Sequence, residues 1–139
     1  MQPVFSLNIS MPKPSVLLYN MASDARTAAI EAYLSGSGVT VIHVKATDFN
    51  RPIASLFSLP GFKQDGKPVY RPPFSEEMLV MAGFSQKRLS DFLRFFREKQ
   101  LRRVALKAML TPSNATWSGA ELLWHLKQEQ AQFDKAVRR

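Results

Sequence analysis

The chain contains no cysteine. That removes disulfides, thiolate zinc sites, iron–sulfur ligation and a cysteine nucleophile together, and it fits a reducing, cytoplasmic compartment. Histidine is scarce as well. His43 and His125 are the only two, they fall on different expected elements, and neither has the carboxylate-rich neighbourhood of a metal site. No apolar run approaches the ~20 residues of a membrane span. The stretch from Met1 to Ser15 has one cation, Lys13, and is broken by Pro3, Pro12 and Pro14, so it lacks the apolar core of a secretory signal. The glycine-rich phosphate loops G-x-G-x-x-G and G-x-x-x-x-G-K-[ST] are missing, as is a G-x-S-x-G nucleophile turn. No metal, cofactor or membrane is therefore expected, and catalysis by an unrecognised chemistry is the least supported reading.

What the chain does have is enough apolar material for an ordinary core. Its 139 residues are 45% hydrophobic and 22% charged, near globular averages, which predicts a single α/β domain over residues 15–139 behind a flexible arm at 1–14. Ser15-Val-Leu-Leu-Tyr-Asn20 is a short apolar run suited to a buried strand. Ser23 then stands as a candidate N-cap, Ile30, Tyr33 and Leu34 follow at helical spacing, and Gly36 and Gly38 end the helix. Thr40-Val-Ile-His-Val-Lys45 alternates and is β-branched, as a strand is.

The same order returns further along. Glu77-Met-Leu-Val-Met81 predicts a strand, Ser85 a cap, and Leu89, Phe92, Leu93 and Phe96 an amphipathic helix; Arg103–Leu110 predicts the next strand. A shift of 62 residues superposes the units 15–46 and 77–110, setting Leu17 on Leu79, Ser23 on Ser85, Arg26 on Arg88 and Lys45 on Lys107. The insert 47–75 holds a predicted short helix (Ile53, Leu56, Phe57) and a turn-rich stretch with Phe62, Tyr70 and Phe74. A last helix, 118–137, opens on the capping box Ser118…Glu121 and carries Leu122, Leu126, Phe133 and Val137 on one stripe.

Two strand–helix–strand units allow two sheets. One is ferredoxin-like and antiparallel, with the units interleaved, helices on one face and the C-terminal helix added. The other is an open Rossmann-like parallel sheet covered on both faces. The matched lysines favour the first. If Ile42, Val44, Val104 and Leu106 face the helices, then His43, Lys45, Ala105 and Lys107 face an open side, where a mid-strand ammonium stays hydrated.

Net charge is +8, and the excess is steepest between Gln86 and Lys107, where eight cations meet only Asp91 and Glu98. Arg88, Arg94, Arg97, Arg102 and Arg103, with Lys45, are the candidate contacts to a nucleic-acid backbone. Spacings of three and four between Asp91 or Glu98 and these cations also suit an ordinary solvated helix face. A second candidate lies between the last strand and the last helix, where Thr111, Ser113, Asn114 and Trp117, with Lys107 nearby, suit a small anion. The same residues suit an Asx turn at Asn114 and a Trp117 staple. Tyr19, His43, Lys45 and Lys107 would give the open sheet a basic, partly aromatic face of the kind that stacks RNA bases, but Met78–Phe84 lacks the matching pattern. Glu76 and Glu77 point to opposite sides and make a poor acid–base couple; Glu121 and His125, one turn apart, read as a surface pair.

From Leu106 the run Leu-Lys-Ala-Met-Leu-Thr-Pro-Ser-Asn-Ala-Thr-Trp-Ser-Gly-Ala-Glu-Leu-Leu, with Glu77-Met-Leu-Val-Met-Ala-Gly-Phe-Ser before it, resembles a bacterial family of small cytosolic proteins known only as a domain of unknown function. The resemblance covers residues 76–130 and, more loosely, 15–48. It implies a free-standing domain and no activity, substrate or cofactor. The sequence thus predicts a non-enzymatic interaction or regulatory module that binds a protein partner, a second copy of itself, or a small anionic ligand. A weak nucleic-acid binder using residues 86–107 is the alternative.

Overall fold

Val16-Leu-Leu-Tyr19 and Met78-Leu-Val-Met81 have no polar alternation, and both become central strands buried on both faces. The structure, a computed structural model, describes residues 13–59 and 71–137. The expectations for residues 1–12, for the stretch 60–70 with Phe62 and Tyr70, and for the side chains of Phe133 and Val137 lie outside the described residues. The elements are β1 (Ser15–Tyr19), α1 (Ala25–Gly36), β2 (Thr40–Val44), a 3-10 turn (Ala46–Asp48), α2 (Ile53–Leu56), β3 (Met78–Ala82), α3 (Gln86–Glu98), β4 (Leu106–Met109) and α4 (Gly119–Val137).

The four strands form one mixed sheet in the order β2-β1-β3-β4. β1 pairs parallel with β2, β3 pairs parallel with β4, and β1 and β3 pair antiparallel at the centre. This corrects the ferredoxin-like expectation, in which the strands of each unit are split by a strand of the other. It is not the uniformly parallel alternative either. The reason lies in the central strands. Val16, Leu18, Leu79 and Met81 pack under α1 and α3 with Ile30, Leu34, Phe92 and Phe96. Leu17, Tyr19, Met78 and Val80 point the other way and pack against Phe49, Ile53, Leu122 and Leu123. Both faces are apolar, so both must be covered. The short helix and α4 supply the second layer, and no face of the central strands is left open.

The two units repeat, but not at one spacing. The helix ends match at 62 residues: Val39 N donates to Leu34 O as Leu101 N does to Phe96 O, both at 2.9 Å, and left-handed Gly38 is echoed by left-handed Gln100. The central strands match at 63. Asn20 and Gly83, each just past its strand, both have positive φ, and Leu17 pairs with Val80, so a local twofold passes through that pair. A shift of 62 would set Leu17 on Leu79, which face opposite layers; one residue of slip reverses every side chain.

The same slip corrects the expectation about the lysines. By pairing register Lys107 corresponds to Val41, not Lys45. A bend at Ala105 breaks the alternation, so Val104 packs under α3 while Leu106 packs under α4. Lys107 therefore lies on the α3 side, and it is Ile42 and Val44 that face the second layer. His43 turns toward α1, where it pairs with Glu31.

Capping follows local chemistry. Asp24, not Ser23, caps α1 by accepting from Thr27 N at 2.9 Å, and a carboxylate suits the positive end of a helix better than a hydroxyl. Ser85 caps α3 and Ser118 caps α4 through Glu121 N, as the sequence predicts. The Asp24 carboxyl is held below its ordinary value of 3.8, first by the Thr27 amide. Asp91 is held low first by Arg94 and then Lys87, and Glu76 by Lys127. A carboxyl lowered by folding adds stability above its unfolded value, and that stability is lost as pH falls through the folded value. Urea midpoints are accordingly expected to drop below about pH 4. Asp24→Asn, which keeps a capping oxygen without the charge, should make that acid limb shallower.

Tyr19 is fully buried between Phe49 and Phe74, at centroid distances of 5.3 and 5.7 Å. Its hydroxyl has no hydrogen-bond partner among the described residues, and burial pushes its ionisation upward. An unpaired buried hydroxyl costs free energy. Tyr19→Phe is expected to stabilise the fold by about 1 kcal/mol, read as a higher thermal midpoint.

Candidate functional site at the basic edge of the sheet

α3 is amphipathic, burying Phe92 and Phe96 and leaving Leu93 at the border of the layer. Past Lys99 the left-handed Gln100 turns the chain, and Leu101–Val104 returns to the sheet without forming helix or strand. Between this segment, the last turn of α3 and β4 lies a space of about 390 Å³. Its apolar wall is Leu93, Phe96, Leu101 and Val104. Arg97, Arg103 and Lys107 complete the lining, and no carboxylate takes part. Among the described residues none of these three cations forms an ion pair. On the other side of β4 a second space of about 340 Å³ shares Arg103 and Lys107, and there Glu129 is the single acid.

Lys107 is the most constrained of the three. Its Nζ donates to Val104 O at 2.7 Å, and its pKa is lowered first by burial and then by the charge of Arg103. Two uncompensated cations are thus held side by side, and an anion between them would relieve the repulsion. A larger opening of about 1070 Å³ separates α1 from α3, but the carboxylates of Asp91 and Glu98 share its lining with the cations. Lys87 and Arg94 both pair with Asp91 there.

The candidate nucleic-acid residues do not form one surface. Arg97 and Arg103 meet at the space just described. Arg88 donates to Ser37 O at 2.9 Å and lies 6.0 Å from the Phe84 ring centroid. Arg94 is held by Asp91, and Arg102 lies 3.6 Å from Glu77. Lys45 follows β2, at the opposite edge of the sheet. The candidate anion loop is also dispersed. Asn114 is buried and bonded within its own loop: its side-chain oxygen accepts from Thr111 N, its side-chain amide donates to Met109 O, and its backbone N–H donates to Thr111 Oγ1. Ser113 is exposed. Trp117 stacks on His125 at 4.0 Å and joins the α4 layer, whereas Lys107 lies in the α3 layer. The loop's carbonyls at Ala115 and Trp117 receive Ala54 N and Ile53 N, which fixes α2.

Sequence reading missed the apolar wall. The signal was there in Arg97-Glu-Lys-Gln-Leu-Arg-Arg-Val104, where Leu101 and Val104 interrupt a basic run. It also missed Arg26, which is 8% exposed and donates to Glu77 Oε2, Arg102 O and Arg103 O at 2.9, 2.7 and 3.1 Å. Glu76 turns the other way, to Lys127 at 2.6 Å. Among the described residues no group of three or more His, Asp or Glu side chains gathers, and no helix is long and apolar enough to cross a membrane.

Residues 77–133 match the family described as "Domain of unknown function (DUF3783)". The matched region holds β3, α3, β4 and most of α4, and therefore the whole basic edge. No match was found among curated proteins or among solved structures.

Proposed function

We propose that this chain is a non-enzymatic binding module whose basic edge, between α3 and β4, receives an anionic partner that also carries apolar groups. One observation carries the reading: Arg97, Arg103 and Lys107 line an apolar-walled space with no carboxylate in it. Desolvated charge pairing sets orientation and apolar burial adds affinity, so such a wall selects ligands having both features. The net charge of +8 steers anions toward the protein at long range.

Anilinonaphthalene sulfonate, an anion on an aromatic body, is the probe. Saturable fluorescence enhancement by the cooperatively folded protein is expected, and Arg97→Gln with Arg103→Gln should weaken it at least tenfold, about 1.4 kcal/mol. Equal affinity in the double variant would refute the reading.

Nucleic acid is the second reading, favoured by the exposure of Arg97 in the last turn of α3 and of Arg102 and Arg103 in the segment that follows it. Three phosphate contacts to a single strand predict a log–log salt slope of about −2. A flat salt response would remove it.

A further inference from the structure

We propose that the partner of the basic edge is an extended acidic polypeptide segment that adds to the sheet as a fifth strand beside β4. The inference rests on the anion-binding reading above and names the chemical class of the partner. β4 ends the sheet. Leu110 N donates to Met81 O at 2.7 Å, and Lys107 pairs in register with Leu79. In a parallel ladder these two facts fix the direction of every backbone group: those of Leu106, Ala108 and Leu110 face β3, while those of Lys107 and Met109 face outward. An independent contact agrees, because Asn114 Nδ2 reaches Met109 O from outside the sheet at 3.0 Å. Asn114 closes that end of the edge. The Lys107 N–H and C=O and the Met109 N–H remain to pair with an incoming strand.

Side chains of an added strand alternate between the two faces of the sheet. Here each face of β4 offers a space, about 390 Å³ on the α3 side and about 340 Å³ on the α4 side, and both are bordered by Arg103 and Lys107. Alternating apolar and acidic residues meet both requirements. Charge also chooses among occupants. A second copy pairing edge to edge would bring Lys107 and Arg103 against their own kind, an arrangement that strand edges use to prevent self-association.

The test is fluorescence anisotropy with a labelled eight-residue peptide alternating Glu and Val, and with two controls: the same peptide N-methylated at alternate amides, and one with Lys in place of Glu. Binding by the parent is expected, with at least a tenfold loss on N-methylation and none detectable for the lysine peptide. On the protein, Lys107→Pro should weaken binding beyond Lys107→Gln, because it also removes the outward N–H while leaving the β3 ladder intact. Slowed hydrogen exchange at the Lys107 amide should accompany binding. Equal binding of the parent and N-methylated peptides would overturn strand addition and leave the anion site standing. Binding of a single-stranded oligonucleotide but of neither peptide would also overturn it. If the sulfonate probe fails as well, the anion-binding reading falls with it.

Discussion

Arg26→Met is expected to lower the stability of the fold by about 3 kcal/mol, the largest effect of any single polar change. Arg26 is 8% exposed and ties α1 to Glu77 and to the carbonyls of Arg102 and Arg103. Removing the guanidinium leaves two carbonyls without their donor and Glu77 with only the longer 3.6 Å contact to Arg102, and methionine fills the volume without replacing one hydrogen bond. Glu77 is 26% exposed and keeps some water, which places the cost at the lower end for breaking a buried pair. A double-mutant cycle with Glu77→Gln separates the ion pair from the carbonyl contacts. Single and double variants losing equal stability would assign the effect to the pair; a larger loss for Arg26→Met than for Glu77→Gln assigns the remainder to the carbonyls. An unchanged urea midpoint in Arg26→Met would contradict the structural role altogether.

Gly119→Ala should be nearly as damaging, although alanine is normally the better helix residue. A Cβ at this position would lie 2.5 Å from a ring carbon of Tyr19 and 2.8 Å from its hydroxyl oxygen. Tyr19 is fully buried and packed against Phe49 and Phe74. The expected cost is about 1–3 kcal/mol, measured as a lower thermal midpoint. Pairing Gly119→Ala with Tyr19→Ala should relieve the clash, so the double variant loses less than the two changes added together. Strict additivity would show that the methyl group finds room elsewhere.

Much of the secondary structure was legible because its causes are local. Serine caps at Ser85 and Ser118, the Phe92 and Phe96 stripe, and the β-branched run Thr40–Val44 report on their own neighbourhoods. Sheet order was not legible from these, since strand neighbours depend on which layers must be covered. The clue lay in the unbroken apolar runs of β1 and β3, which already demand cover on both faces. The matched lysines outweighed that clue and pointed to an open face. They misled because helices and strands repeat at different spacings, and an alignment scored on the helices carries the strands one residue out of phase. The site was half legible: Arg97, Arg103 and Lys107 were named from charge, but two separate groupings divided them. Only the bend at Ala105 and the return of Leu101–Val104 bring them together, and no periodicity encodes either.

The contacts of Arg26 and Arg88 run in opposite directions between the two units. The first reaches from α1 to the carbonyls that follow α3, and the second from α3 to the carbonyl of Ser37 that follows α1. Each half of the chain therefore finishes the backbone bonding of the other. Severed between the units, neither piece would possess the donors its own returning segment requires, and the apolar seam along Leu17–Val80 would be left bare.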